Sequence, residues 1–210
     1  MFTDRREAGA RLARALDKYR GQRPLVAAIP RGAVALGRTI ADALAGDLDV
    51  VFVRKLRTPG SDEVAAGAVD ERGKIYVAEH ALAAGADDGW LAREAALQMK
   101  AIRAQRAAYT PHRPPLDPRE RVVIVVDDGL ATGMTMMAAL RAVRARGAAW
   151  VVCALAVASP RGLARVRPFA DDVVCLAAPE DFAGVSVFYD DFAPVEDADA
   201  IRLLRPRVAA

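Results

Sequence analysis

The chain has 210 residues, 53% hydrophobic and 27% charged, which is compatible with one domain and a sizeable core. Its formal net charge of +3 sets 30 Lys and Arg against 27 Asp and Glu; the basic residues are spread over several candidate helices and mixed with acids, which argues against a nucleic-acid patch and suits a small anionic substrate. No apolar run approaches 18 residues, the charged N-terminus has no apolar signal core, and Cys153 and Cys175 fit no metal motif, so the reading is a cytoplasmic protein with two inert core thiols and no membrane span.

In chain order, Thr3 is a candidate cap for a first helix, whose apolar positions Ala10, Leu12, Ala13 and Leu16 have helical spacing. Leu25–Ile29 reads as a buried strand, Pro30-Arg31-Gly32 breaks it, Ala33–Leu44 is helical by composition, and Leu48–Val53 is a second buried strand. Strand, tight loop, helix and strand make a βαβ unit and imply a parallel pair. Residues 54–79, punctuated by Gly60, Gly67 and Gly73, read as an antiparallel excursion or a flexible loop with a hairpin. Residues 87–108 form a long helix capped by Asp87 or Asp88, with Arg93, Lys100, Arg103 and Arg106 as a solvated face. A linker rich in proline follows. Arg121–Val126 is a third strand, Met134–Arg146 a helix ended by Gly147, Trp150–Val157 a fourth strand, Pro160–Val166 a short helix and Asp172–Leu176 a fifth strand, with a last helix over Glu196–Leu204. The fold class is therefore α/β: an open, mostly parallel sheet with helices on both faces, forming a single domain over 1–210.

Ligands of such sheets bind outside the carboxyl ends of the strands. The most informative strand end is Val126, followed by Asp127-Asp128 and then Gly129-Leu130-Ala131-Thr132-Gly133-Met134-Thr135 at the start of a helix. Two adjacent carboxylates can accept hydrogen bonds from a pair of neighbouring hydroxyls. A loop of Gly, Ala and Thr offers backbone N–H groups and hydroxyls at a helix N-terminus, where the dipole favours an anion. A diol site beside a phosphate site describes a ribose 5-phosphate. No Lys follows Gly133, so the segment is not a Walker loop, and it lacks the glycine spacing of a dinucleotide fingerprint.

Val122–Thr135 resembles the ribose-phosphate motif of the type I phosphoribosyltransferases: a hydrophobic strand, two acidic residues and a loop ending in T-G-x-T or close to it. DDGLATGMT is similar to the adenine phosphoribosyltransferase version, and the order of strands and helices follows the family over about residues 25–180. The resemblance implies transfer of a 5-phosphoribosyl group from phosphoribosyl pyrophosphate (PRPP) to a nitrogenous base, with pyrophosphate released. By it, Asp127 and Asp128 bind the ribose hydroxyls, and Ala131, Thr132, Gly133, Met134 and Thr135 cradle the 5-phosphate. Mg²⁺ is held mainly through PRPP, near Asp127 and Asp128. Pro30-Arg31-Gly32-Ala33 stands where the family has its pyrophosphate loop. There Arg31 can pair with phosphate, and Gly32 allows close backbone approach and an unusual φ. Arg54-Lys55, at the end of the second strand, stands where the family has a PRPP-contacting cation, which makes Arg31 and Lys55 the catalytic candidates. Residues 54–79 become the flexible loop that closes over the reacting centre, with Ser61, Asp62, Glu63 and Gly67 as candidates for closure or catalysis. The family also implies a homodimer.

The chain departs from the hypoxanthine–guanine enzymes, which carry an Asp in the phosphate loop where Ala131 stands here. No general base is visible. A small hood over the base could come from the N-terminal segment, from 80–118 or from the C-terminal region, where Phe182, Phe188, Tyr189 and Phe192 could stack on a base or simply pack. His80 and His112 read as surface residues. The alternative is a regulatory protein of the same fold that senses PRPP or a nucleotide without transfer; the short N-terminal segment offers no room for a helix-turn-helix domain.

Overall fold

A computed structural model describes residues 1–111 and 113–205, with the side chains of Asp62 and Glu63 left aside; the expectations for His112 and those two side chains fall outside the described residues. Five strands form the central sheet in the order β2-β1-β6-β7-β8, where β1 is Leu25–Ala28, β2 Asp47–Val50, β6 Val122–Asp127, β7 Trp150–Val157 and β8 Asp172–Ala177. Every neighbouring pair is parallel. Side chains alternate along β6: Ile124 and Val126 face one core with Val26, Ala28 and the helices α1 (Arg5–Ala15) and α2 (Ala33–Leu44), while Val123 and Val125 face the other with α4 (Met134–Ala145) and α5 (Pro160–Val166). Residues buried on both faces explain why these strands read as continuous apolar runs. The expected open parallel sheet with helices on both faces is borne out.

The antiparallel excursion is a second sheet, β3 (Val53–Thr58), β4 (Ser61–Asp70) and β5 (Ile75–Val77), paired β3-β4-β5. It corrects one boundary. Arg54 and Lys55 are not at the end of the second parallel strand; they lie inside β3. The chain leaves the parallel sheet after Val50 because Phe52 turns its N–H to Glu71 Oε1 (3.0 Å), at the far end of β4.

A second correction concerns α3 (Asp88–Tyr109), capped by Asp87, whose carboxylate accepts from Trp90 N–H at 2.7 Å. Arg93, Lys100 and Arg103 are exposed as expected, but Arg106 is not on the solvated face. Its guanidinium reaches Asp49 (3.0 Å), both oxygens of Glu71 (2.6 and 2.9 Å) and the Val50 carbonyl (2.7 Å). Asp49 is 3% exposed and also accepts from Arg113 (3.3 Å) and from the Leu116 N–H (2.8 Å). This network ties β2, the second sheet, α3 and the proline linker together, and so fixes where the β3–β5 sheet stands.

Two smaller corrections follow. The cap of α1 is Asp4, not Thr3: its carboxylate accepts from Glu7 N–H (2.8 Å), and Glu7 in turn accepts from Thr3 N–H (3.2 Å). Of the two free cysteines only Cys153 is fully buried, and burial pushes its thiol pKa up; Cys175, on the edge strand β8, is partly exposed.

Truncating the hub leaves Arg106 with Glu71 as its one acid and takes an acceptor from Arg113 and from the Leu116 N–H. Asp49→Ala should therefore cost about 2–3 kcal/mol in urea unfolding; a loss below about 1 kcal/mol, the range of an exposed pair, would show that the network is not a structural tie.

Candidate functional site

The parallel register pairs Ala28 of β1 with Val126 of β6. Both chains run off the same edge, so the Pro30–Ala33 turn and the Asp127–Thr135 loop are neighbours in space. The Pro30-Arg31 peptide bond is cis. Gly32 has φ −54° and ψ −42°, an ordinary right-handed conformation, which corrects the expectation of an unusual φ. Close approach is what demands glycine here: a Cβ would overlap Asp128 Oδ2 and stand 3.0 Å from the Nε of Arg5.

The 129–133 loop is held from behind. Leu130 N–H donates to the Val157 carbonyl (2.9 Å) and Ser159 N–H to the Leu130 carbonyl (2.8 Å). The Ala131 carbonyl accepts from Ser159 Oγ (2.5 Å), and the Thr132 carbonyl from Arg165 (3.4 Å). Gly162, in the first turn of α5, lies so close that a Cβ there would overlap Leu130 and the Ala131 carbonyl. Gly133 has φ +84°, the left-handed region that glycine enters without strain, and turns the chain into α4. With the carbonyls committed, the N–H groups of Ala131, Thr132 and Gly133 have no acceptor among the described residues. The first N–H groups of α4 point the same way, as every helix start leaves them free.

The two carboxylates differ. Asp127 accepts from the Asp128 N–H (2.9 Å). Close packing around it and the neighbouring Asp128 charge push its carboxyl well above the usual carboxylate range. Asp128 is ion-paired: Arg5 Nε reaches its Oδ2 at 2.8 Å. Its carbonyl accepts from Tyr189 Oη at 2.7 Å.

A cavity of about 410 Å³ opens between the two loops, with Arg31, Arg54, Thr135 and Asp197 in its wall. Lys55 is not in that wall. It lines a neighbouring space of about 290 Å³ with Thr135, and another of about 520 Å³ with Thr132, Met134 and His80, where Arg141 and Arg165 add positive charge. Asp127 and Asp128 sit deeper, behind Gly32, and do not line the 410 Å³ cavity. Arg31 lies 4.0 Å from Glu196, just before α6 (Asp197–Leu204). The N-terminal and C-terminal segments meet beside Asp128. Phe2 bridges to Tyr189, with Phe2 N–H donating to the Phe188 carbonyl (2.8 Å) and Asp190 N–H to the Phe2 carbonyl (2.9 Å). Tyr189 packs between Phe2 and Phe192, and Phe182 stacks on Phe188 at 5.9 Å. The 80–118 region instead packs α3 on the second sheet and α6.

Sequence reasoning missed Arg5 and Asp197, and it named Tyr189 only as an aromatic that could stack on a base or pack, not as a donor to the Asp128 carbonyl. Only Arg5 had a local signal: Arg5-Arg6 opens a helix at the end where the dipole repels cations.

A family model for the phosphoribosyl transferase domain matches residues 3–193, and the chain belongs to that family. The resemblance drawn from Val122–Thr135 is thereby borne out. The chain is 35% identical over 206 residues to a Mycobacterium tuberculosis protein, in strains CDC 1551 and H37Rv, named provisionally as a phosphoribosyl transferase. That alignment covers 97% of this chain and 46% of the relative, so the chain spans about half the length of the curated relatives it matches. A crystal structure of a Thermus thermophilus protein superposes with a TM-score of 0.85 at 44% identity, covering 97% of each chain. A uracil phosphoribosyltransferase of Clostridioides difficile is 42% identical over 67 residues, 32% of each chain.

Two outcomes follow from this geometry. The fold favours the neutral form of Asp127, so the native state keeps that proton to higher pH than the unfolded chain. Nothing is lost below the ordinary carboxylate range, and stability falls as the pH rises through the raised value. Asp127→Asn should accordingly raise Tm more at about pH 9 than at about pH 5; an equal shift at both would refute a neutral buried carboxyl. Gly32→Ala, although its backbone suits alanine, should cost about 1–3 kcal/mol through overpacking against Asp128, and a neutral effect in chemical denaturation would contradict the close approach.

Proposed function

We propose that the chain binds PRPP at the β1–β6 sheet edge and transfers its 5-phosphoribosyl group to a nitrogenous base, releasing pyrophosphate. The observation that carries this reading is the paired arrangement at the end of β6: two adjacent carboxyl groups beside a loop whose carbonyls are tied back and whose N–H groups have no acceptor among the described residues. Family membership supports transferase chemistry of this kind.

The roles follow from the groups. Asp127 and Asp128 receive the ribose hydroxyls as hydrogen-bond acceptors. Ala131, Thr132, Gly133, Met134 and Thr135 hold the 5-phosphate through backbone N–H groups at the start of α4, where the dipole adds to the attraction. Arg31 and Lys55 meet the pyrophosphate charge, joined by Arg54 in the cavity beside Arg31, and Gly32 lets the turn close on the ribose site. The reacting carbon passes through an oxocarbenium-like state, so the protein contributes mainly positioning and preorganised charge.

Among the described residues no three His, Cys, Asp or Glu side chains gather to cage a metal. That fits Mg²⁺ bound chiefly through phosphate oxygens with one or two carboxylates near. Asp127 and Asp128 are the residues that would stand nearest to it, and the ion would neutralise the departing pyrophosphate. The described helices include none long and apolar enough to cross a membrane. We place the protein in the cytoplasm as a homodimer.

Asp128→Asn should raise the PRPP Kd about 10–100-fold, the loss of a charge-assisted hydrogen bond, with the far-UV circular dichroism unchanged; an unaltered Kd sinks the assignment. Incubation with PRPP, Mg²⁺ and a panel of purines, pyrimidines and other nitrogenous acceptors should release pyrophosphate with at least one. PRPP binding without release for any of them would favour a sensor over a transferase.

A further inference from the structure

Arg5 opens α1 at a position where a cation is unfavourable, because the helix dipole puts partial positive charge there. Acids in a first turn are the ordinary choice, and Glu7 follows that rule. Arg6 breaks the same rule from an exposed position, whereas Arg5 is half-buried, where such a break points to a tertiary reason.

That reason is visible in how the guanidinium is held. Its Nε donates to Asp128 Oδ2 at 2.8 Å and its Nη1 to the Ala193 carbonyl at 2.9 Å. Its flat face lies 3.8 Å from the centre of the Phe192 ring. Arg5 and Asp128 side chains are only 12% and 15% exposed, so the pair is poorly screened and geometrically confined. The backbone that carries Arg5 is itself anchored: Asp4 caps the helix, and Phe2 and Thr3 are bonded to the 188–191 segment. Gly32 packs beside this pair: a Cβ there would overlap Asp128 Oδ2 and stand 3.0 Å from Arg5 Nε. Asp128 thus has one carboxylate oxygen held by Arg5 with no room for a side chain next to it. The Asp127 side chain is the other group hydrogen-bonded to the Asp128 carboxyl.

We infer that Arg5 is a positioning residue for the ribose site: it fixes the rotamer of Asp128 so that the carboxylate is presented to the sugar hydroxyls. Through Ala193 and Phe192 the same guanidinium ties that carboxylate to the C-terminal segment, so the sugar-reading group and the wall beside it move as one unit. Arginine suits the place because a planar fork can bond an acid, bond a carbonyl and stack on a ring at once; an ammonium has donors for both oxygens but no flat face for the ring and no fixed fork. The inference rests on the phosphoribosyl reading of Asp127 and Asp128, and its test separates the two.

The probes are ribose 5-phosphate and 2-deoxyribose 5-phosphate, titrated calorimetrically against the full chain. Both carry the phosphate, and only the first carries the vicinal diol. The unaltered protein should prefer ribose 5-phosphate by about tenfold or more, the worth of a charge-assisted hydrogen bond. In Arg5→Gln that preference should fall to about twofold or less, while the affinity for the deoxy sugar stays within about twofold. A merely structural role would weaken both ligands alike. Arg5→Lys keeps the charge without the fork and should lose most of the preference too; it supplies the measurement if Arg5→Gln does not fold. If the unaltered protein shows no preference, the phosphoribosyl reading itself fails. If it does and both Arg5 variants keep it, the positioning role is overturned, as it is if Arg5→Gln binds ribose 5-phosphate more tightly.

Discussion

Parallel pairing of β1 with β6 is the constraint on which the site depends. Parallel strands end on the same edge, so a turn that begins at Pro30 and a loop that begins at Asp127, nearly a hundred positions apart, share one small volume. The distance between their backbones is then set by sheet spacing, about 4.8 Å from strand to strand. Side chains cannot fit everywhere in such a space. Gly32 against Asp128, Gly129 against Val185 and Gly162 against the Leu130 side chain and the Ala131 carbonyl are places where a single carbon is too many. These glycines have ordinary reasons in packing, and none is chosen for a left-handed φ.

The loop after β6 shows how backbone accounting makes an anion site. Buried or half-buried carbonyls must be paired, and here Ser159 and Arg165, from the neighbouring strand end and helix, pair them on one side. Free N–H groups are left on the other side, at the start of a helix. The site is therefore as much a property of the β7–α5 junction as of the loop that carries the motif. The helix packed behind it does the orienting, and the loop supplies the donors.

Electrostatics divides the two acids. Adjacent carboxylates repel, and here desolvation and the neighbouring charge push the Asp127 carboxyl pKa up while Asp128 is matched by a guanidinium. Arg106 uses the same device elsewhere, with two acids sharing one cation in the tie between β2 and the second sheet. In each case charge that would be costly alone is placed in a closed group with its hydrogen bonds satisfied.

Much of this protein is legible in order along the chain. Continuous Val and Ile runs mark strands buried on both faces, and helix bounds such as Ala33–Leu44 and Pro160–Val166 follow from spacing and capping. The Asp-Asp and Gly-Thr string at the end of β6 identifies the family, because its chemistry is local: donors and acceptors needed within nine residues are written within nine residues. What stayed hidden is long-range. Arg106 looks like one more cation on a wet helix face until β2 and β4 bring Asp49 and Glu71 to it. Arg54 and Lys55 look like a strand terminus until the chain is seen to start a second sheet there. Arg5 lies 123 residues from Asp128, and no periodicity or spacing connects them. The sequence alone determined the layers, the strand edge and the chemistry gathered at it. Only the tertiary structure decided which cation each acid meets and how the carboxylates are charged, because both depend on which surfaces exclude water, and water is excluded by packing between distant segments.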